Sequence, residues 1–426
     1  MGSRVLSLRN RELANLVGVG LITGIGFAAV YIALQEQISA ASLSYAGFFL
    51  LLYLAAHSVA RVAVPYADPY LLPIAALLTA VGLTEIYRLE PDNAFKQGLW
   101  IVIGVAFFAG ALLALRHDYR ILESYKYLFG VGALVLLALP ALPLIGLTVN
   151  GARLWVQIGP FQFQPGEIAK LMLIVFLAGY LREKREVLGQ ARPKDVGPLL
   201  AIWGGAMLVL VQTNDLGSAL LYFGIFLGML YAATGRVLFV ALGLGLFVAG
   251  SVAAYQAIPR VQERVAIWVD PWADADGDGY QLVQSLYSIA NGSFGGTGFG
   301  RGTFTTTAGD PLIPFLNTDF IFSAIAQELG LVGASALLLL YMVFIVRGFR
   351  IALLAGDGFS KLLAAGLTFG FAIQTFIILG GILRLIPLTG ITLPFVSYGG
   401  SSVVANFVLL AGLMLVSNRA NALRSR

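Results

Sequence analysis

This sequence predicts an all-α fold, a polytopic helical membrane protein of about twelve transmembrane helices, on three observations. Of its 426 residues, 58% are apolar and only 12% charged, with mean hydropathy +0.85; a soluble globular domain carries about 25% charged residues. The apolar residues gather into runs of about 18 to 22, the length that crosses a hydrocarbon core. The basic residues collect in alternate short connections between those runs, the bias of a cytoplasmic face.

The first run, 13–34, follows the basic stretch MGSRVLSLRNREL. It is too long for the apolar part of a secretory signal and has no small-residue cleavage site, so it reads as a retained helix. Further runs cover 43–63, 70–87, 97–115, 124–145 and 166–183. The runs 197–213 and 216–234 are parted only by a short TND turn, but their joint length, near 38 residues, requires two crossings. After 236–258 comes a long polar segment, 259–318, and then runs at 319–346, 360–382 and 399–417. The long segment is rich in Gly, Asp, Thr and aromatics, and its helical stretch YQLVQSLYSIA argues for a structured lid or re-entrant element.

With the N-terminus placed in the cytoplasm, the inner connections hold about 19 Lys and Arg and the outer ones about 7. The inner set includes Arg4, Arg61, Arg120, Lys126, the LREKREVLGQARPKD cluster, Arg347, Arg350 and the basic tail 419–426. Both termini are therefore expected inside, with 259–318 outside. The net charge of +5 follows from these connections and does not point to nucleic acid. The absence of Cys excludes disulfides and thiolate chemistry, and two histidines, His57 and His117, are too few for a histidine metal cluster.

Two apparent motifs carry nothing. DADGDG begins like a calcium loop, but its twelfth position is Ser285 rather than a bidentate Glu. GGTGFGRG has glycines at dinucleotide-like spacing without the strand and βαβ unit such a site needs.

The outer connection NGARLWVQIGPFQFQPGEIAKL is more informative. Pro165 suits a helix start, and Glu167 and Lys170 then stand three apart on one face. They read either as a self-neutralising pair or as a lysine that meets an anionic head group and is positioned by the glutamate. Trp155, beside Arg153, is an interfacial anchor or a platform for a sugar face. Asp215 caps the following helix. Arg384 opens GGILRLIPLTGITLPFVSYGGSS, whose prolines and glycines imply broken backbone, tolerated at membrane depth only under protein or water. Ser397 and its neighbours there offer hydroxyls and a close backbone approach.

Asp319 and Glu328 are two costly acids in one run. Asp319 alone reads as a first-turn carboxylate on a helix dipole, but Trp155, Lys170, Arg264, Arg384 and the glycine-rich segment share its side of the membrane. An acid among apolar groups can accept a proton from a hydroxyl. Glu328 lies about 13 Å deeper at 1.5 Å per residue and reads as a buried, partnered structural charge.

The segments QPGEIAKL, DPWADADGDGYQLVQSLYSIANGSFGGTGFGRG, NTDFIFSAIAQELGLVG and LPLTGITLPFVSYGGSS together resemble the SEDS family (RodA, FtsW, SpoVE), in order and at its spacing over roughly 66–418. The resemblance implies a ten-helix core preceded by a two-helix extension, 1–65, which tilts the likeness towards RodA. It implies a glycosyltransferase of the bacterial cytoplasmic membrane that polymerises lipid II into peptidoglycan, with a class B penicillin-binding protein as partner. It implies Asp319 as the catalytic acid and Trp155, Glu167, Lys170 and Arg264 as substrate contacts, with Arg153 standing one residue from the family's Arg. The reading of the residues themselves adds Arg384 and Ser397 to the substrate contacts. A divalent cation, Mg or Mn, is compatible with it, though no ligand cluster demands one. The competing readings are a lipid II flippase and a non-catalytic scaffold for a transpeptidase. The sequence departs from the family pattern at Gly166, Leu154, Asn214 and Gln327, near head-group contacts rather than at Asp319.

Overall fold

The computed structural model describes residues 2–35, 40–149, 152–159, 161–185, 193–306 and 311–424. Arg192 and Arg426 of the basic set, the side chains of Arg4 and Lys194, and residues 307–310 of the long connection lie outside the described part.

Each of the twelve expected runs holds a described helix, but the run 124–145 is helical only over Lys126–Ala138 before a 3₁₀ turn at Leu139–Ala141, and the run 319–346 extends to Leu354. The helices begin with α1 (Gly2–Gln35), α2 (Ala40–Ala63), α3 (Leu71–Leu89) and α4 (Pro91–Leu115). A single turn, α5 (Ile121–Ser124), precedes α6 (Lys126–Ala138), and α7 (Pro165–Lys184), α8 (Pro193–Gln212), α9 (Leu216–Thr234) and α10 (Val237–Ala257) follow. The long connection folds as α11 (Pro259–Val269), a 3₁₀ turn at Pro271–Asp274 and α12 (Tyr280–Gly292); α13 (Ile321–Leu354), α14 (Gly358–Ile382) and α15 (Gly400–Arg424) complete the chain. Among the described residues nine helices are long and apolar enough to cross a membrane, and Lys126–Ala141 and Gly197–Gln212 are shorter apolar helices. The connection before α7, expected as a loop, instead forms an antiparallel sheet of β1 (Gly146–Val149), β2 (Ala152–Ile158) and β3 (Phe161–Phe163). Its alternating apolar and polar residues pair Leu147 with Trp155 and Val156 with Phe163, the period of a strand.

Local chemistry sets the helix ends. Pro91 and Pro165 occupy the first turns of α4 and α7, where no N–H is needed. Asp215 caps α9 by accepting from Ser218 N at 2.9 Å, and Gly235 ends that helix in the left-handed region. The core lies between α3, α4, α7, α13, α14 and α15, where Phe344, Phe371, Phe395 and Phe407 form a continuous aromatic run. By contrast α10 buries none of its residues and packs chiefly on α9.

The two ends of the bundle differ. At one, Arg347 holds Asp68 through both carboxylate oxygens, 2.7 and 3.0 Å, and lies 3.9 Å over the Tyr70 ring. Arg9 of α1 bonds Glu12 and the Ala67 carbonyl, tying the first helix to the rest, and Glu12 also meets His57 at 2.7 Å. Lys126 pairs with Glu183, Arg182 with Glu123, and Arg419 with Asp118 at the same end. The opposite end carries the sheet, α11, α12 and the 384–399 loop.

Candidate active site

At that opposite end the 384–399 loop and α11 converge on the residues around Asp319. The Asn317 carbonyl accepts from Tyr398 N at 2.9 Å, and the Thr318 carbonyl accepts from Ser397 Oγ at 2.5 Å. Ser397 also accepts from Leu393 N, so its hydroxyl stitches the 384–399 loop to the residues just before α13. Gly390 of this loop adopts φ +71, and a Cβ there would stand 3.6 Å from Asp319 Oδ2, so the loop backbone passes close to the carboxylate. Arg264 of α11 donates to the Leu388 carbonyl at 2.6 Å and brings its positive charge to both Asp319 and Asp215.

Burial pushes the Asp319 carboxyl up to about 6, against the opposing pull of Arg264 and the Thr318 hydroxyl. Burial likewise raises Asp215, whose capping bonds to Ser218 pull the other way. The Arg264 guanidinium is lowered by burial and by Arg260, and raised by the two aspartates. A half-buried carboxylate with one half-buried cation nearby is suited to accept a proton near neutral pH.

A second polar group lies in the first turns of α7. Lys170 is 2% exposed, and its ammonium donates to Glu167 at 2.7 Å and to Gln374 Oε1 of α14 at 2.6 Å. Gln374 in turn donates to the Thr392 carbonyl at 3.0 Å, and Thr392 bonds Ser402, so the lysine group is continuous with the loop that passes Asp319. Tyr222 fixes the start of α7 through the Gly166 carbonyl at 2.7 Å. Gln374 was not singled out in the sequence, although a glutamine within an apolar span is the kind of signal that marks it.

The remaining predicted residues divide. Trp155 stands half-buried on β2, in the sheet that feeds α7. Arg153 donates to the Leu142 carbonyl at 3.0 Å, and its backbone bonds the Thr213 carbonyl next to Asp215. Arg384 is turned elsewhere: it donates to the Trp268 carbonyl at 2.8 Å and to the Val269 carbonyl, and lies 5.3 Å from the Trp272 ring. It closes the C-terminal end of α11, whose carbonyls lack helical partners. Asp319, Arg264 and Asp215 thus form one electrostatic group, with Glu167, Lys170 and Gln374 adjoining it. Among the described residues no three His, Cys, Asp or Glu side chains gather as a metal site. Asp274, in the calcium-like stretch, accepts from Asp278 N within a turn.

Glu328 has partners. Its carboxylate accepts from Gly300 N at 2.6 Å and Gly302 N at 3.0 Å, with Arg88 Nε 3.3 Å away. Arg88, expected only as an outer basic residue, is the countercharge.

Residues 70–422 match the family model described as Cell cycle protein, FTSW_RODA_SPOVE. The chain is 44% identical to Peptidoglycan glycosyltransferase RodA of Mycobacterium tuberculosis, over 98% of this chain and 92% of that protein. It is 35% identical to Stage V sporulation protein E of Bacillus subtilis, over 82% of this chain and 96% of that protein. The RodA alignment therefore takes in the α1–α2 pair, which lies before the family match. Among solved structures, one described as "Structural coordination of polymerization and crosslinking by a peptidoglycan synthase complex" superposes with TM-score 0.69 at 30% identity, covering 83% of this chain and 98% of that one. Thermus thermophilus RodA superposes with TM-score 0.61 at 28% identity, covering 83% and 97%. The chain belongs to the FtsW/RodA/SpoVE family and stands nearer its RodA members.

Proposed function

We propose that this protein is a peptidoglycan glycosyltransferase that polymerises lipid II, with Asp319 as its general base. The observation that carries this reading is the half-buried Asp319 carboxyl, passed closely by the Gly390 backbone and opposed by the charge of Arg264, at the end of the bundle away from the basic connections. That end faces outward and both termini lie in the cytoplasm, as the charge bias requires.

In the reaction, Asp319 takes the proton from the 4-hydroxyl of the acceptor GlcNAc. The freed oxygen bonds to C1 of the MurNAc at the reducing end of the growing chain, with inversion. The bond from C1 to the pyrophosphate oxygen breaks, and undecaprenyl pyrophosphate leaves with the electron pair. Arg264 and Lys170, with Arg153 at the rim, stabilise charge developing on the pyrophosphate, and such electrostatic help usually contributes most to the rate. Glu167 and Gln374 hold Lys170 in place, and Trp155 offers a face for a sugar ring. Ser397 and Arg384 act from behind, the first by fixing the loop beside Asp319 and the second by fixing α11. A class B penicillin-binding protein is the partner that would crosslink the product, in keeping with the synthase complex to which the chain is similar.

The test is reconstitution of the purified protein with lipid II, with and without such a partner. The parent makes glycan chains; Asp319→Asn loses at least about a hundredfold in rate, the scale of a missing general base, while retaining its partner. A parent that only moves or binds lipid II would be a flippase or a scaffold, and an Asn variant with full activity would remove Asp319 from the chemistry.

A further inference from the structure

The helix that follows Asp319 is broken. Gly330, inside α13, adopts φ 66 and ψ −167, so the hydrogen-bond ladder is interrupted there. The glycine-rich segment after α12 fills the gap. The carbonyls of Gln327 and Glu328 accept from Thr297 N and Gly298 N, both at 3.0 Å, and Leu331 N and Val332 N donate to the Ser293 and Phe294 carbonyls at 2.9 and 3.3 Å. Non-helical backbone at membrane depth survives only when its polar groups are satisfied in this way. Gly296, at φ +82, packs so close to the Glu328 carbonyl and Gly330 N that a side chain would not fit.

Two residues before the break the Glu328 carboxylate, fully buried, receives the amides of Gly300 and Gly302. Arg88 of α3 lies 3.3 Å from the same carboxylate and donates to the Gly302 carbonyl at 2.9 Å, closing the segment from the other side. The segment is continuous with α12, which is fastened to the first turns of α13 by Ser285–Ser323 at 2.6 Å and Ser288–Gln327 at 2.5 Å. Through α12 and the 3₁₀ turn it is also continuous with α11, which carries Arg264.

We propose that Glu328 is a positioning residue for glycan transfer. With Arg88 it locks residues 293–302 into the broken helix, and so fixes where α12, α11 and Arg264 sit relative to Asp319 and the bound saccharide. At about 13 Å from Asp319 by helix rise it touches no reacting atom. A buried charge is costly to keep unless paired and hydrogen-bonded, and here its contacts are spent on a glycine-rich stretch, the backbone least able to hold a conformation unaided. The inference rests on the proposed reaction.

The experiment uses the full chain in lipid nanodiscs, comparing the parent with Glu328→Gln, Arg88→Gln and Asp319→Asn. Three quantities are read: amide exchange across 293–304, lipid II affinity, and polymerisation against lipid II concentration and pH. Glu328→Gln is expected to speed exchange at Gly300 and Gly302 at least about tenfold and to lower kcat/KM about tenfold. Most of the loss is expected in KM, with the pH inflection unmoved because Asp319 is untouched; Arg88→Gln moves the same quantities less. Unchanged exchange, a released segment with parental kcat/KM, or a loss confined to kcat with a displaced pH inflection would each overturn the proposal. A Glu328→Gln chain that fails to fold leaves Arg88→Gln, on which the same readings decide. If the parent does not polymerise lipid II, the proposed reaction fails on that result alone, whereas the lock is judged by whether Glu328→Gln weakens lipid II binding and frees the segment.

Discussion

The most direct consequence of the site is a pH profile. If Asp319 must be ionised to accept the hydroxyl proton, its raised pKa of about 6 sets the acid limb of the rate. At saturating acceptor, roughly a tenth of the molecules are competent at pH 5, half at pH 6 and about nine-tenths at pH 7. The polymerisation rate should therefore rise about tenfold between pH 5 and pH 7 and level off above. Arg264 opposes the effect of burial on Asp319, so Arg264→Met should carry the inflection to higher pH as well as lower the plateau. The assay is initial-rate glycan synthesis from lipid II in proteoliposomes, with the product resolved by gel and the protein's integrity checked at each pH. A flat rate from pH 5 to 7, or an inflection that falls when Arg264 is removed, would refute the assignment. The same shift has a stability counterpart. An acid with a raised folded pKa contributes relative stability that is complete below its unfolded value and is lost as the pH rises through about 6. Asp319→Asn should thus be inactive yet no less heat-stable than the parent at pH 7, the exchange of stability for function found at active sites.

Two further substitutions probe buried charges. Lys170→Met removes the partner of Glu167 and Gln374 and leaves a nearly buried carboxylate uncompensated, so stability should fall by about 3–5 kcal/mol, read as a lower thermal transition in detergent. Glu85 of α3 is fully buried, and neither of its carboxylate oxygens has a hydrogen-bond partner among the described residues. Glu85→Met should therefore raise the thermal transition, by the equivalent of about 1–3 kcal/mol, and a fall would mean that the carboxylate balances the nearby Arg88 charge.

Much of this architecture was legible because the membrane simplifies the reading. Runs such as 70–87 and 360–382 are long enough to cross and have no rival interpretation, and α3 and α14 fall on them within a few residues. Asp319 and the Glu167–Lys170 pair were legible because a charge in or beside a span requires a reason. The hairpin before α7 has a short-range signal in Asn150–Gly151 between strand-like residues, but a polar connection between two spans equally suits a loop. What could not be read were contacts between segments far apart in the chain. Lys170 reaches Gln374 across 204 positions and Arg88 reaches Gly302 across 214, and periodicity along one helix carries no information about either. Arg384 shows the limit from the other side. Its position beside a broken loop suggested a substrate contact, but only the fold reveals that the end of α11 already occupies its guanidinium.

Asp319, just before α13, and Glu328, within it, divide chemistry from architecture on the proposed reaction. A base that must pass its proton to water has to lie at a helix end, yet its carboxylate gains a useful pKa only if protein covers it. A loop lying on the surface would leave that cover free to move with the solvent. Breaking the helix at Gly330 resolves the conflict, because the unpaired carbonyls and amides then demand partners and draw residues 293–298 into the gap. That segment is held by the backbone of the helix that Asp319 precedes, so α12 and the first turns of α13 cannot shift independently. Glu328 makes that arrangement specific to one register: its two amide donors are two residues apart, and a slip of one position would bury an unpaired carboxylate. Glu328 thereby fixes, at the outer end of α3 where Arg88 stands, the frame from which α11 and Arg264 approach the half-buried Asp319.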